Sequence, residues 1–291
     1  MSNCIRCGRQ LPGFSFGRKI CQWCEQHEAY QRGEVADEAR QPVMPTPWVR
    51  PSASTIGVTQ IILGINLAVF LGMALATSSV MGFTGLDLVR WGANYGPYTL
   101  SGEWWRLLTS VFVHGGIIHI AFNMWCLWNL GALCEALYGP GTYATIYLLC
   151  GVGGSLGSVI WHSFGPPSVG ASGAIFGLAG ALLAAFKLGE FSVPRSALSG
   201  TLRSLGAFVF YNLIFGAAIR GVDNAAHIGG LITGLILGAL IALLAPRQED
   251  SPRRAVIFLL VTVILATIAT RVAHYHGLPM RMGMSPFHRP Q

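Results

Sequence analysis

From about residue 56 onward the chain is a succession of long apolar runs, near 56–79, 117–137, 142–163, 171–187, 204–219, 225–245 and 255–273. Each has roughly the length a helix needs to cross about 30 Å of hydrocarbon. Lipid offers no water to backbone N–H and C=O groups, so only helices or closed barrels can occupy it. No stretch alternates with the period of a strand, which excludes a barrel. The expectation is an all-α, polytopic membrane helical bundle with seven spans. Composition excludes the alternatives. Hydrophobic residues make up 52% and charged residues 11% of the chain, against about 25% charged in a soluble domain. The opposite bias would be needed for disorder.

The formal charge is +7, yet the basic residues flank the apolar runs instead of clustering. They read as anchors at helix ends, and no nucleic-acid partner is expected. The first apolar stretch begins only near Ile56, so no secretory signal is expected. The predicted organisation is a small module at 1–40 and a linker at 41–55 carrying Pro42, Pro45, Pro47 and Pro51. A six-span core at 56–245 follows, then a loop and seventh span at 246–273 and a tail at 274–291. With the N-terminus cytosolic, the inner loops hold the larger share of Lys and Arg, including Lys187, Arg203, Arg247, Arg253 and Arg254.

Cys4-x2-Cys7 and Cys21-x2-Cys24 form two CxxC pairs. Paired knuckles suit tetrahedral thiolate coordination, so a structural zinc held by Cys4, Cys7, Cys21 and Cys24 is expected. Two disulfides or redox pairs are the alternative. A segment this short has nothing else to form a core, which favours the metal. Reduced thiols agree with a cytosolic N-terminus. His27 is a weaker ligand candidate, and Cys126, Cys134 and Cys150 read as packing residues inside spans.

Polar groups at membrane depth are costly without partners and therefore mark function. Three clusters stand out. His114 and His119 open the second span, with Asn123 one turn after His119. Gly170-Ala171-Ser172-Gly173 opens the fourth, and Asp223-Asn224-Ala225-Ala226-His227 opens the sixth. These spans run in the same direction, so the three clusters share one level, in the outer half of the bilayer. Gly173, Gly177 and Gly180 line one face of span four. Gly230, Gly234 and Gly238 continue a stripe from His227 on span six. Small residues at this spacing let helix backbones approach in lipid, which would bring His227 to Ser172.

A Ser–His pair implies nucleophilic catalysis through an acyl-enzyme, with His as general base. The intermediate's oxygen needs donors; the Ser172 backbone, His119 and Asn123 are candidates. Span four is short, about 24 Å for some sixteen residues, which would set Ser172 below the outer surface. Gly153-Gly154-Ser155-Leu156-Gly157 matches the G-x-S-x-G elbow of α/β-hydrolases. That elbow needs a preceding strand, so Ser155 is read as a packing residue.

These residues resemble the rhomboid family of intramembrane serine proteases. The likeness rests on Trp105-Arg106, His114, His119-x3-Asn123, Glu135 with Gly139, Gly170-Ala171-Ser172-Gly173 and Ala226-His227-x2-Gly230-x3-Gly234, in order across 56–245. The resemblance implies a six-helix core and a Ser172–His227 dyad without a third acid. It also implies an oxyanion hole from His119, Asn123 and the Ser172 backbone. The expected substrates are single-pass transmembrane proteins in the bilayer, and catalysis needs no cofactor. Phe176 stands where the family places an aromatic, often Tyr, beneath the catalytic His. The expected location is the plasma membrane, with the active site opening outward. An inactive relative that binds transmembrane clients, or a transporter lined by His and Asn, are the competing classes. Intact Ser172 and His227 argue against the first, and the lack of an inverted repeat against the second.

Overall fold

The structure is a computed structural model. It describes residues 56–189, 195–219, 221–246 and 250–281, and residues 4–7, 20, 24, 28 and 32 near the N-terminus. Cys21 and His27 lie outside the described residues. The chain divides into two units, Met1–Arg50 and Pro51–Gln291.

Among the described residues, seven apolar helices form the bundle of the second unit. They are α1 (Val58–Thr77), α5 (Ile117–Tyr138), α6 (Pro140–Trp161), α7 (Ser172–Leu188), α8 (Arg195–Ala218), α9 (Asn224–Leu244) and α10 (Ser251–Arg281). Six are long and apolar enough to cross a membrane, and α7 is a shorter apolar helix. Hydropathy locates the hydrocarbon portion of a helix, not its ends. So α8 begins nine residues before the apolar run at 204, through Arg195 and Arg203, and α10 extends past its run at both ends.

The segment between α1 and α5 reads in sequence as a long loop, but it is folded. It carries α2 (Gly85–Arg90), α3 (Gly96–Thr99), α4 (Arg106–Thr109) and a 3-10 turn at Ser110–Phe112. Arg106 organises it. Its guanidinium is buried, pairs with Glu103 at 2.6 Å and donates to the carbonyls of Val89 and Ala93 at 2.7 and 3.1 Å. The same group lies over the Trp105 ring, 4.4 Å from its centroid.

At one end of the bundle, charged side chains satisfy helix termini that lipid could not. The Glu135 carboxylate, at the end of α5, accepts from the N–H groups of Val58 and Thr59 at 2.7 and 2.9 Å. It also accepts from the Thr59 hydroxyl. Gly57 provides no side-chain cap there, so the carboxylate replaces one. Arg254 reads in sequence as a charge in a cytosolic loop, yet it is only 5% exposed. It donates to the carbonyls of Tyr138, Ala245 and Pro246 and to Thr142 Oγ1. One side chain of α10 thus closes the C-termini of α5 and α9. Farther along, Ala269 of α10 packs with Leu156 and Val159 of α6 and with Leu100 and Leu107 of the folded loop.

The centre of the bundle is α7, whose residues from Gly173 to Leu182 are all buried. Its closest neighbour is α9, then α6. The reason is glycine. A methyl group at Gly230 would overlap the carbonyl oxygen of Gly173, and one at Gly234 that of Gly177. On the other side of α9, Gly153 and Gly157 of α6 meet Thr233 and Gly229. Three backbones are therefore in direct contact.

Candidate active site

Ser172 is the first residue of α7 and stays half-buried. The segment leading into it is fastened to the folded loop. Asn94 and Ser168 exchange backbone hydrogen bonds at 3.0 and 2.9 Å, and Gly170 N–H donates to the Ser110 carbonyl at 3.0 Å. Gly170 has φ +117, a conformation that side chains rarely adopt, and a Cβ there would come 2.7 Å from His119 Nε2. This glycine both turns the chain into α7 and leaves room for the imidazole.

His227, one turn into α9, is 6% exposed. Its Nε2 lies 2.9 Å from Ser172 Oγ. The ring stacks on Phe176, one turn after Ser172, with centroids 4.3 Å apart and planes 7° from parallel. The contacts of Gly173 with Gly230 and of Gly177 with Gly234 set the separation of the two helices, and hence of the two side chains. On its far side, His227 Nδ1 lies 3.1 Å from Asn224 Oδ1. Asp223 is occupied elsewhere. Its carboxylate caps α9 by accepting from Ala226 N–H at 3.0 Å.

The first residues of α7 have no intrahelical acceptor for their N–H groups. Side-chain donors come from α5. Gly115 N–H donates to His119 Nδ1 at 3.3 Å. Nδ1 is then an acceptor, so in the neutral ring Nε2 carries the hydrogen. That N–H faces Gly170, two residues before Ser172. Asn123 lies one turn on. Its amide donates one hydrogen to the His119 carbonyl at 2.9 Å and keeps a second. His114 is fully buried and packs edge-on to His119, with centroids 5.2 Å apart.

Ser155, in the G-x-S-x-G stretch, sits in the interior of α6 with no imidazole against it among the described residues. Its hydroxyl lies 3.1 Å from Ser110 Oγ, and its carbonyl accepts from Asn94 at 2.8 Å. Cys126, Cys134 and Cys150 are buried in spans. In the N-terminal unit the sulfurs of Cys4, Cys7 and Cys24 lie within 4.8 Å of one another. Three convergent thiols suit a thiophilic cation.

Two residues with evident jobs escape a reading of the sequence. Arg254 is indistinguishable there from other basic residues at span ends. Asn224 is visible in the polar cluster, and its spacing of three from His227 is the signal that it shares the ring's face.

A family model described as the rhomboid domain matches residues 101–244. Among curated relatives, the rhomboid protease GluP of Bacillus subtilis (strain 168) is 40% identical over 192 residues, which are 65% of this chain and 35% of that protein. The rhomboid protease AarA of Providencia stuartii is 29% identical over 249 residues, 78% of this chain and 85% of that protein. RHOMBOID-like protein 9, chloroplastic, of Arabidopsis thaliana is 30% identical over 225 residues, 72% of this chain and 51% of that protein. The chain thus spans 35% of the GluP sequence and most of AarA.

Proposed function

The chain belongs to the rhomboid family, and from that premise we propose that it is an intramembrane serine endopeptidase acting on single-pass transmembrane proteins. The observation that carries the reading is the 2.9 Å approach of His227 Nε2 to Ser172 Oγ inside an apolar bundle. Ser172 Oγ attacks a peptide carbonyl as its proton passes to His227 Nε2, and the carbonyl oxygen takes up the negative charge. His119 Nε2–H, the Asn123 amide and the N–H groups opening α7 donate to that oxygen. The intermediate collapses, the C–N bond breaks, and His227 returns the proton to the departing amine. Water then attacks the acyl-enzyme, with His227 again as base, and Ser172 is released. Phe176 supports the ring without supplying a hydroxyl.

The inner loops' excess of Lys and Arg supports a cytosolic N-terminus, with the site opening outward; the membrane we assign is the plasma membrane. In the N-terminal module, Cys4, Cys7, Cys21 and Cys24 hold one structural zinc, which would tie a short segment into a fixed shape. The module at 1–40 and the span at 246–273 are additions to a catalytic core at 56–245.

Purified protein in liposomes with a panel of single-span substrates tests the reading. The wild type should release two fragments cut near the outer surface and should react with a fluorophosphonate at Ser172. Ser172→Ala and His227→Ala should each abolish both. Normal cleavage by Ser172→Ala would refute the assignment. If no substrate is cut and no serine is labelled, the chain instead binds transmembrane clients without cleaving them.

A further inference from the structure

The mechanism needs His227 in one tautomer: Nε2 must be a lone pair to take the Ser172 proton, so Nδ1 must carry the hydrogen. Nothing in the Ser172–His227 contact enforces that, because a hydroxyl can donate to a bare Nε2 or accept from an Nε2–H equally well. The direction is fixed elsewhere. Asn224 Nδ2 lies 2.9 Å from the Leu213 carbonyl of α8. A carbonyl only accepts, so that end of the amide must be the NH2 and the other end must be oxygen. The oxygen is the end 3.1 Å from His227 Nδ1. An amide oxygen only accepts, so Nδ1 must donate.

We propose that Asn224 is the positioning residue of the catalytic base, its amide oriented by the Leu213 carbonyl so that it holds His227 in the Nδ1–H tautomer. The inference rests on the protease reading and deepens it. The hydrogen-bond direction runs from Ser172 through His227 to Asn224 and ends on a backbone carbonyl that cannot reverse. Asp223 does not compete for this role, since its carboxylate caps α9. Gly216 of α8 leaves the space. A methyl group there would overlap Asn224 Oδ1 and stand 3.0 Å from its Cγ. An amide is neutral, so it orients the ring without adding the charge an acid would bring to the imidazolium.

The test uses the full chain in detergent, with kinetics and 15N NMR of histidine-labelled protein, His227 being assigned by difference from His227→Gln. The wild-type signal should be pyrrole-like at Nδ1 and pyridine-like at Nε2. Asn224→Leu, similar in size and unable to accept, should lower kcat about tenfold with KM unchanged, the effect of one ordinary hydrogen bond. Its spectrum should shift toward the Nε2–H form. Asn224→Asp, which can still accept from Nδ1, should recover most of the kcat. Asp223→Asn should leave both readouts near wild type. An Nε2-protonated ring in the wild type overturns the proposal, and that result needs neither cleavage nor a foldable Asn224→Leu. Unchanged kcat in Asn224→Leu, or an Asp variant as slow as the Leu variant, also overturns it. Failure of the wild type to cleave or be labelled would refute the protease reading alone, leaving the spectrum to decide the tautomer.

Discussion

Gly230→Ala puts one methyl group where α7 and α9 touch. Its Cβ would overlap the Gly173 carbonyl oxygen and stand 2.7 Å from the carbonyl carbon, against about 3.4 Å for ordinary contact. The obstruction is backbone on a buried helix, so no side chain can rotate away, and the carbon alone requires the helices to part by about 0.7 Å. Gly173 adjoins Ser172, and Gly230 is one turn from His227. That displacement falls on their 2.9 Å hydrogen bond, and transmitted in full it stretches the bond to about 3.6 Å, past bonding reach. Overpacking of this kind costs about 1–3 kcal/mol of stability. A misplacement near 1 Å at a reacting pair costs roughly 100-fold in rate. The variant should thus fold with a lowered Tm and lose far more activity than stability. Cleavage of a single-span reporter and the rate of fluorophosphonate labelling, both measured well below Tm, report the loss. Gly206→Ala is the control, since a Cβ there meets nothing within 4 Å; it should be neutral or stabilising by up to about 1 kcal/mol. Wild-type cleavage by Gly230→Ala would show that the helix separation does not set the dyad.

Asn123→Ala should slow turnover by about 2–4 kcal/mol of barrier with little change in Tm, because His119 and backbone donors remain; no change in kcat would remove Asn123 from the oxyanion hole. Glu135→Gln weakens three hydrogen bonds at the start of α1 by removing their charge, and should cost about 1–3 kcal/mol in Tm-derived stability. An unaltered Tm would mean that α1 is capped by other means. Metal analysis of the full chain under reducing conditions should give one zinc per molecule, falling on Cys4→Ser. Less than about half an equivalent in the wild type would refute the zinc site.

The spans were legible because hydrocarbon imposes one length and one composition on any helix that crosses it. Ser172, His227, His119 and Asn123 stood out as candidates for the complementary reason, being polar where the surroundings forbid it, and the 2.9 Å approach of His227 to Ser172 is the part of that reading the fold displays. The shortness of α7 could be counted directly from the distance between Gly170 and Lys187. The segment at 80–116 could not be read in this way. Its short helices are held by Arg106 bonding to carbonyls thirteen and seventeen residues away, which no local periodicity records. Arg254 was misplaced for a related reason: a basic residue beside an apolar run looks the same whether it faces water or closes a helix end. The role of Asn224 depends on a carbonyl of another helix, so its spacing from His227 could suggest a contact but not a direction.

The glycine contact between α7 and α9 has a thermal consequence. Ordinary helix interfaces are cushioned by side chains, and on warming these populate further rotamers and let the helices drift. Where Gly230 meets Gly173 and Gly234 meets Gly177 there are no rotamers to populate. The spacing of the two helices is set by the hard radii of backbone atoms, which temperature barely changes. Thermal loosening should then begin in α8, of whose apolar window only 11% is buried, and reach the spacing of α7 and α9 last. The distance between the Ser172 and His227 side chains should then hold until the helices themselves unfold, and any activity lost on warming before that point should trace to α8 and its Leu213 carbonyl, not to the spacing of α7 and α9.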